Sequence, residues 1–169
     1  LYGLRIPAGR GWWLLLPPAL IGALAGGVWI PDRSRIAELA GSVPADWLAL
    51  ASLALLPAAA EVLFRGLAHG RLAWCFPIQR GGGRWFVSWP VIASSLFYAP
   101  WALLPLFDAA PPPFARFDSF AWCVPLAGSL LFGLAAGMAR ERSESLLAPI
   151  LLHWIGALAL LAALPFWGG

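Results

Sequence analysis

Five long apolar runs dominate this chain: Trp12 to Ile30, Asp46 or Trp47 to about Phe64, Trp85 to Phe107, Phe120 to Met138, and Leu146 to Trp167. Each has about the 20 residues that a helix needs to cross a bilayer. In hydrocarbon the backbone must satisfy its own hydrogen bonds, which leaves helices and closed barrels as the spanning structures. A barrel would show short alternating segments, and no such pattern occurs. The runs therefore predict an all-α, polytopic membrane helix bundle with about five spanning helices. Composition agrees, since 61% of the 169 residues are hydrophobic and only 11% are charged, against about 25% charged in soluble domains. The length suits one compact bundle, a single membrane domain over residues 1–169. Prolines inside the runs, among them Pro57, Pro90, Pro100, Pro105, Pro125 and Pro149, predict kinks where an i→i−4 bond is lost. Pro17-Pro18 and Gly26-Gly27 interrupt the first run and leave it either spanning or re-entrant.

All eleven basic residues are Arg. They are scattered through loops and form no basic stripe, so the net charge of +3 does not point to nucleic acid as a partner. Their distribution sets orientation instead. With five spans, Arg5, Arg10, Arg71, Arg80, Arg84, Arg140 and Arg142 fall on one side and Arg33, Arg35 and Arg116 on the other. This split predicts a cytoplasmic N-terminus. Between the runs, Ser34 to Leu39 reads as a short surface helix, Gly81-Gly82-Gly83 as a flexible turn and Pro111-Pro112-Pro113 as a loop. Arg140-Glu141-Arg142-Ser143-Glu144 reads as a tight connection. Cys75 and Cys123 form no close pair and no Cys/His cluster with zinc spacing, so they read as inert thiols rather than a disulfide.

Polar groups inside the runs are few. Glu61 is the only acidic residue within any of them, and an ionisable group in hydrocarbon is a functional candidate by default. Arg65 follows at i+4, on the same helical face, and can neutralise it. The competing reading makes this a pair that only fixes topology near the interface. His153 lies about two turns into the fifth run, at a depth of roughly 10 Å. It reads either as a functional group or as a hydrogen-bonding link between helices. A Glu and a His facing one cavity can activate a water or bind a metal, provided that their helices are adjacent. His69 is eight residues beyond Glu61, about 12 Å along a helix axis, and is expected at the cytoplasmic interface. Asp32, Glu38, Asp46, Asp108, Asp118, Glu141 and Glu144 fall in loops or at helix ends, where water screens them.

Three stretches carry a resemblance. Ala60-Glu61-Val62-Leu63-Phe64-Arg65-Gly66 resembles the first motif of the CAAX-prenyl-protease and bacteriocin-processing (CPBP) family, in which two adjacent Glu precede an Arg. Ser94-Ser95-Leu96-Phe97-Tyr98-Ala99-Pro100-Trp101 resembles the second, a Phe followed four residues later by His. Ser145-Leu146-Leu147-Ala148-Pro149-Ile150-Leu151-Leu152-His153 resembles the third, a His followed four residues later by Asn or Asp. Leu131 to Gly137 also suits the family, and the family-like core covers about residues 47–161. Members are membrane-embedded endopeptidases, often described as glutamic or metal-dependent. Their first Glu and two His surround the reacting water, and the Asn or Asp helps to hold the oxyanion or metal. This chain departs at three of those positions, with Ala60 for the first Glu, Trp101 for the second-motif His and Ala157 for the Asn or Asp.

The resemblance implies an intramembrane CAAX-protease-like endopeptidase acting on membrane-associated, lipidated or C-terminally tagged proteins. Glu61, Arg65 and His153 would be its catalytic residues, with Glu61 activating water and His153 assisting. Phe97 and Trp101 would contact substrate. The resemblance fixes no cofactor; a divalent metal such as zinc belongs to the family chemistry and stays open, but its ligand set is incomplete here. The implied location is a bacterial inner membrane. The alternative is a catalytically degraded relative acting as a membrane peptide-binding scaffold. A transporter or channel subunit ranks last, because the midplane carries almost no polar residues.

Overall fold

The computed structural model describes residues 4, 6–7, 11–27, 47–76, 87–108 and 119–163. The expected surface helix at Ser34 to Leu39, the Gly81 to Gly83 turn and the Pro111 to Pro113 loop lie outside these residues. Among the described residues the chain forms five helical rods and no strand. The first is a 3-10 turn, Trp12–Leu15, leading into α1, Leu16–Gly27. The second joins α2, Trp47–Glu61, to a π-helical segment, Val62–Ala68, and then to α3, His69–Cys75. The other three are α4, Trp89–Asp108, α5, Ser119–Ser143, and α6, Leu147–Ala163. This is the all-α membrane bundle that the apolar runs predict.

Several boundaries have local causes. Pro17 and Pro18 occupy the first turn of α1, just after the 3-10 turn passes into the α-helix. They lie at a junction within one continuous rod and do not break it. Arg140-Glu141-Arg142-Ser143 is the last turn of α5, not a connection, and its two Arg complement the negative end of the helix dipole. The chain then reverses in three residues. Glu144 takes the left-handed conformation at φ 52°, and Ser145 Oγ accepts from Leu147 N–H at 3.1 Å, capping α6.

The bundle is built around α5, which packs against α1 on one side and α4 on another. Small residues make both contacts close. A Cβ at Gly128 would lie 2.4 Å from Gly26 N, and one at Gly22 would lie 2.6 Å from Phe132 N. Here α1 and α5 meet backbone to backbone, as small residues four apart allow. Towards α4, a Cβ at Gly137 would lie 2.9 Å from Val91 Cγ1 and one at Gly133 would lie 3.0 Å from Ser95 Cβ.

Among the described residues, several polar groups join the apolar core while many large apolar side chains face out. Glu61, Arg65, His69, Ser94, Ser95 and Arg140 are buried, whereas Leu55, Leu56, Leu63, Leu67, Leu96 and Leu158 are exposed. Apolar side chains facing out and polar ones facing in are what a bilayer demands. Cys123–Ser143 is long and apolar enough to cross a membrane, and Trp12–Gly26 and Leu147–Ala163 are shorter apolar helices. Cys75 and Cys123 are exposed and are not joined to each other.

Candidate active site

The second rod widens at the point where its candidate residues begin. Over Val62–Ala68 the backbone is π-helical, and His69 N–H donates to Phe64 O, five residues back. Such segments are rare and recur at functional sites. Ala60, Glu61, Phe64, Arg65 and His69 all turn inward from this rod. The inward face therefore holds both residue 60 and residue 61, and Glu61 reaches the interior although it sits one position after Ala60.

There the structure joins two of the residues singled out in the sequence. His153 Nδ1 lies 2.9 Å from Glu61 Oε1, linking α6 to α2. A carboxylate only accepts, so this geometry makes Nδ1 the donor. Arg65 Nε lies 3.5 Å from Glu61 Oε2, and both side chains are 0% exposed. Arg65 also donates from Nη2 to Gly133 O at 2.8 Å, and its guanidinium sits over the Tyr98 ring at 4.6 Å. A cation over an aromatic face out of water adds about 2 kcal/mol. The order is thus Gly133 carbonyl, Arg65, Glu61, His153, with hydrogen bonds at the two ends and a longer ion contact between Arg65 and Glu61 in the middle.

The His153 ring is fixed from its sides. Phe132 meets it edge-on at 4.8 Å between centroids, and Tyr98 does so at 6.2 Å. One residue on, Trp154 Nε1 donates to Ala54 O at 2.9 Å, a second tie between the helices that bring Glu61 and His153 together. His153 itself is 19% exposed, unlike Glu61. Among the described residues no second hydrogen-bond partner is seen for its ring nitrogens, which leaves Nε2 for solvent or substrate.

Trp101 stands where the resemblance would place a His. Its ring packs on Phe64 at 5.2 Å and Tyr98 at 6.0 Å, so it borders the site with 38% of its surface exposed. Phe97, one turn earlier on α4, is 66% exposed. Ala157 lies one turn beyond His153 on α6. Among the described residues, no group of three or more His, Cys, Asp or Glu comes together to hold a metal. Glu61 and His153 offer two donors, and the indole N–H of Trp101 can only donate. These residues do not fit a metal-centred site.

His69, expected near the cytoplasmic end of the second rod, is covered by protein there. It is fully buried, with Nε2 3.3 Å from Glu141 Oε1, and Glu141 is only 14% exposed. Ser88 Oγ donates to the same carboxylate oxygen. The inward face of the rod continues past Arg65, and the buried end of α5 meets it there. Sequence reasoning missed this contact, together with Tyr98, Phe132, the Gly133 carbonyl and Arg140. The signals were present in part: Tyr98 lies within the second-motif stretch, and Gly133 with Gly137 forms a small-residue pair. Arg140 had none, because an Arg at the end of an apolar run reads as an interfacial charge.

No curated protein and no solved structure gave a match to the chain. The family model described as Type II CAAX prenyl endopeptidase Rce1-like matches residues 43–159. That stretch holds α2, the π-helical turn, α4, α5 and most of α6, and with them every contact of the Glu61–His153 pair described above. The chain therefore belongs to the Rce1-like family of membrane-embedded CAAX-protease-like endopeptidases.

Proposed function

We propose that this chain hydrolyses peptide bonds of membrane-anchored or C-terminally tagged proteins, and that Glu61 and His153 act as one unit. The observation that carries the reading is the 2.9 Å contact between His153 Nδ1 and Glu61 Oε1. Burial divides the labour. Glu61 is sealed from solvent while His153 is partly open, so water reaches the imidazole and not the carboxylate. This reverses the order expected from the family pattern, in which the carboxylate activates the water directly. Glu61 holds the ring in the tautomer that leaves a lone pair on Nε2, as a buried carboxylate does for a catalytic His in general.

Nε2 takes a proton from water as the water oxygen bonds to the scissile carbonyl carbon. The tetrahedral adduct then expels the amine. The C–N bond breaks, and the proton on Nε2 passes to the departing nitrogen, which restores neutral His153. Arg65 stays within the protein, balancing Glu61 throughout. Phe97 and Trp101 offer an apolar, partly exposed surface beside the ring, suited to an apolar stretch of substrate. The reading places the enzyme in a bacterial inner membrane with its N-terminus cytoplasmic, following the arginine bias.

The test is cleavage of co-expressed membrane-anchored candidate substrates by wild type, Glu61→Gln and His153→Ala. The expected result is cleavage by wild type, with a loss of about 10²-fold or more for His153→Ala and a clear loss for Glu61→Gln. Cleavage by all three at equal rates would remove the pair from the reaction. Binding of substrate with no cleavage by wild type would favour the scaffold reading, which the replacements Ala60, Trp101 and Ala157 support.

A further inference from the structure

Arg140 belongs to the last turn of α5, well beyond the residues that touch His153, yet it is buried. Its Nε donates to the backbone oxygen of Arg65 at 2.5 Å, across 75 residues of sequence. A carbonyl oxygen has two lone pairs, and in a widened turn the backbone is open to an outside donor. The same Arg65 sends its side chain to Gly133 O at 2.8 Å. Gly133 and Arg140 are seven residues apart on α5, two turns along one face. Thus α5 grips Arg65 at both ends, taking the guanidinium with a backbone acceptor and the backbone with a guanidinium donor. There is no slack at the first contact, because a Cβ at Gly133 would lie 3.2 Å from Arg65 Nη2. Beside Arg140, Glu141 contacts His69 at 3.3 Å, so α5 also holds the residue that follows the π-helical segment.

We propose that Arg140 is a positioning residue for the Glu61–His153 pair. By anchoring the Arg65 carbonyl it fixes the π-helical turn, and with it the aim of the Arg65 side chain at Glu61. Glu61 Oε2 lies 3.5 Å from Arg65 Nε, and Oε1 meets His153. A shift of the turn is therefore delivered to the imidazole. The inference rests on the proposed function for its consequence in turnover, but its geometry is testable without it.

The chain has only two histidines, so ¹⁵N-histidine labelling of the full protein in detergent or nanodiscs gives two ring systems. Comparison with His69→Gln assigns His153. In wild type the Nδ1 resonance should be that of a protonated nitrogen donating to a carboxylate. In Arg140→Gln it should move towards a mixture of tautomers. In Arg140→Lys, which restores a cationic N–H donor, it should return most of the way. Turnover should follow, with kcat lower by about 10²-fold in Arg140→Gln while KM stays within about twofold.

A merely structural role would lower thermal stability and leave the His153 resonance and kcat of the folded protein unchanged; that outcome overturns the proposal. Where Arg140→Gln does not accumulate, Gly133→Ala crowds Arg65 from the other end of the grip. A displaced His153 resonance in that variant supports positioning through Arg65, and an unchanged one overturns it. Absence of peptide cleavage by wild type would count against the proposed function alone, since the resonance decides the positioning claim by itself.

Discussion

Glu61 and Arg65 are both removed from water, so each depends on the other more than a surface pair would. Taking away one partner of a fully buried ion pair leaves an uncompensated charge and costs about 3–5 kcal/mol. Arg65→Ala should therefore lower accumulation and melting temperature sharply, and adding Glu61→Gln should recover part of the loss. Thermal unfolding of the three purified variants in one detergent checks this, and unchanged stability in Arg65→Ala would show that the pair is not structural. At this scale much was legible from sequence. A lone acidic residue in an apolar run must be compensated, and an Arg at i+4 is the nearest candidate. The partnership with His153 was not legible, because it depends on which face of α6 meets α2. The burial of His69 and Glu141 was hidden for a related reason. Position along the rod gives depth in the bundle, but burial depends on the end of α5 that covers it.

Among the elements, α5 carries the most. Its glycines let α1 approach from one side and α4 from the other, and its carbonyl at Gly133 and guanidinium at Arg140 hold the π-helical turn. Gly128→Ala puts a methyl 2.4 Å from Gly26 N, a contact with backbone that cannot rotate away. The expected cost is about 1–3 kcal/mol of overpacking, read as a drop in melting temperature, while the Glu61–His153 contact on the other helices stays intact. Wild-type stability in Gly128→Ala would mean that α1 and α5 do not meet as closely as described. The helices themselves follow directly from the apolar runs, because continuous hydrophobicity over about 20 residues leaves few alternatives. The π-helical turn does not, since a switch from i→i+4 to i→i+5 bonding has no composition signal of its own. The end of α5 was also obscured, because Arg140 and Arg142 read as loop charges although they sit favourably at a helix C-terminus.

For the whole molecule, the outward-facing apolar side chains and family membership agree on a membrane-embedded bundle. The arginine bias then predicts orientation, with the N-terminus inside and the C-terminus outside. Reporter fusions at Gly82 and Gly169 should give a cytoplasmic signal at the first and an external one at the second. Cytoplasmic signals at both would exclude five crossings. On the proposed function the site has apolar residues where family resemblance would place polar ones, and the contact between Glu61 and His153 would carry correspondingly more. The most direct measurement is a double-mutant cycle on cleavage of one membrane-anchored substrate, with wild type, Glu61→Gln, His153→Ala and the double variant at matched levels. Residues that act as a unit are strongly non-additive, so the double variant should be no slower than His153→Ala alone. Losses that multiply would show two independent contributions and contradict the dyad, as would wild-type cleavage by Glu61→Gln.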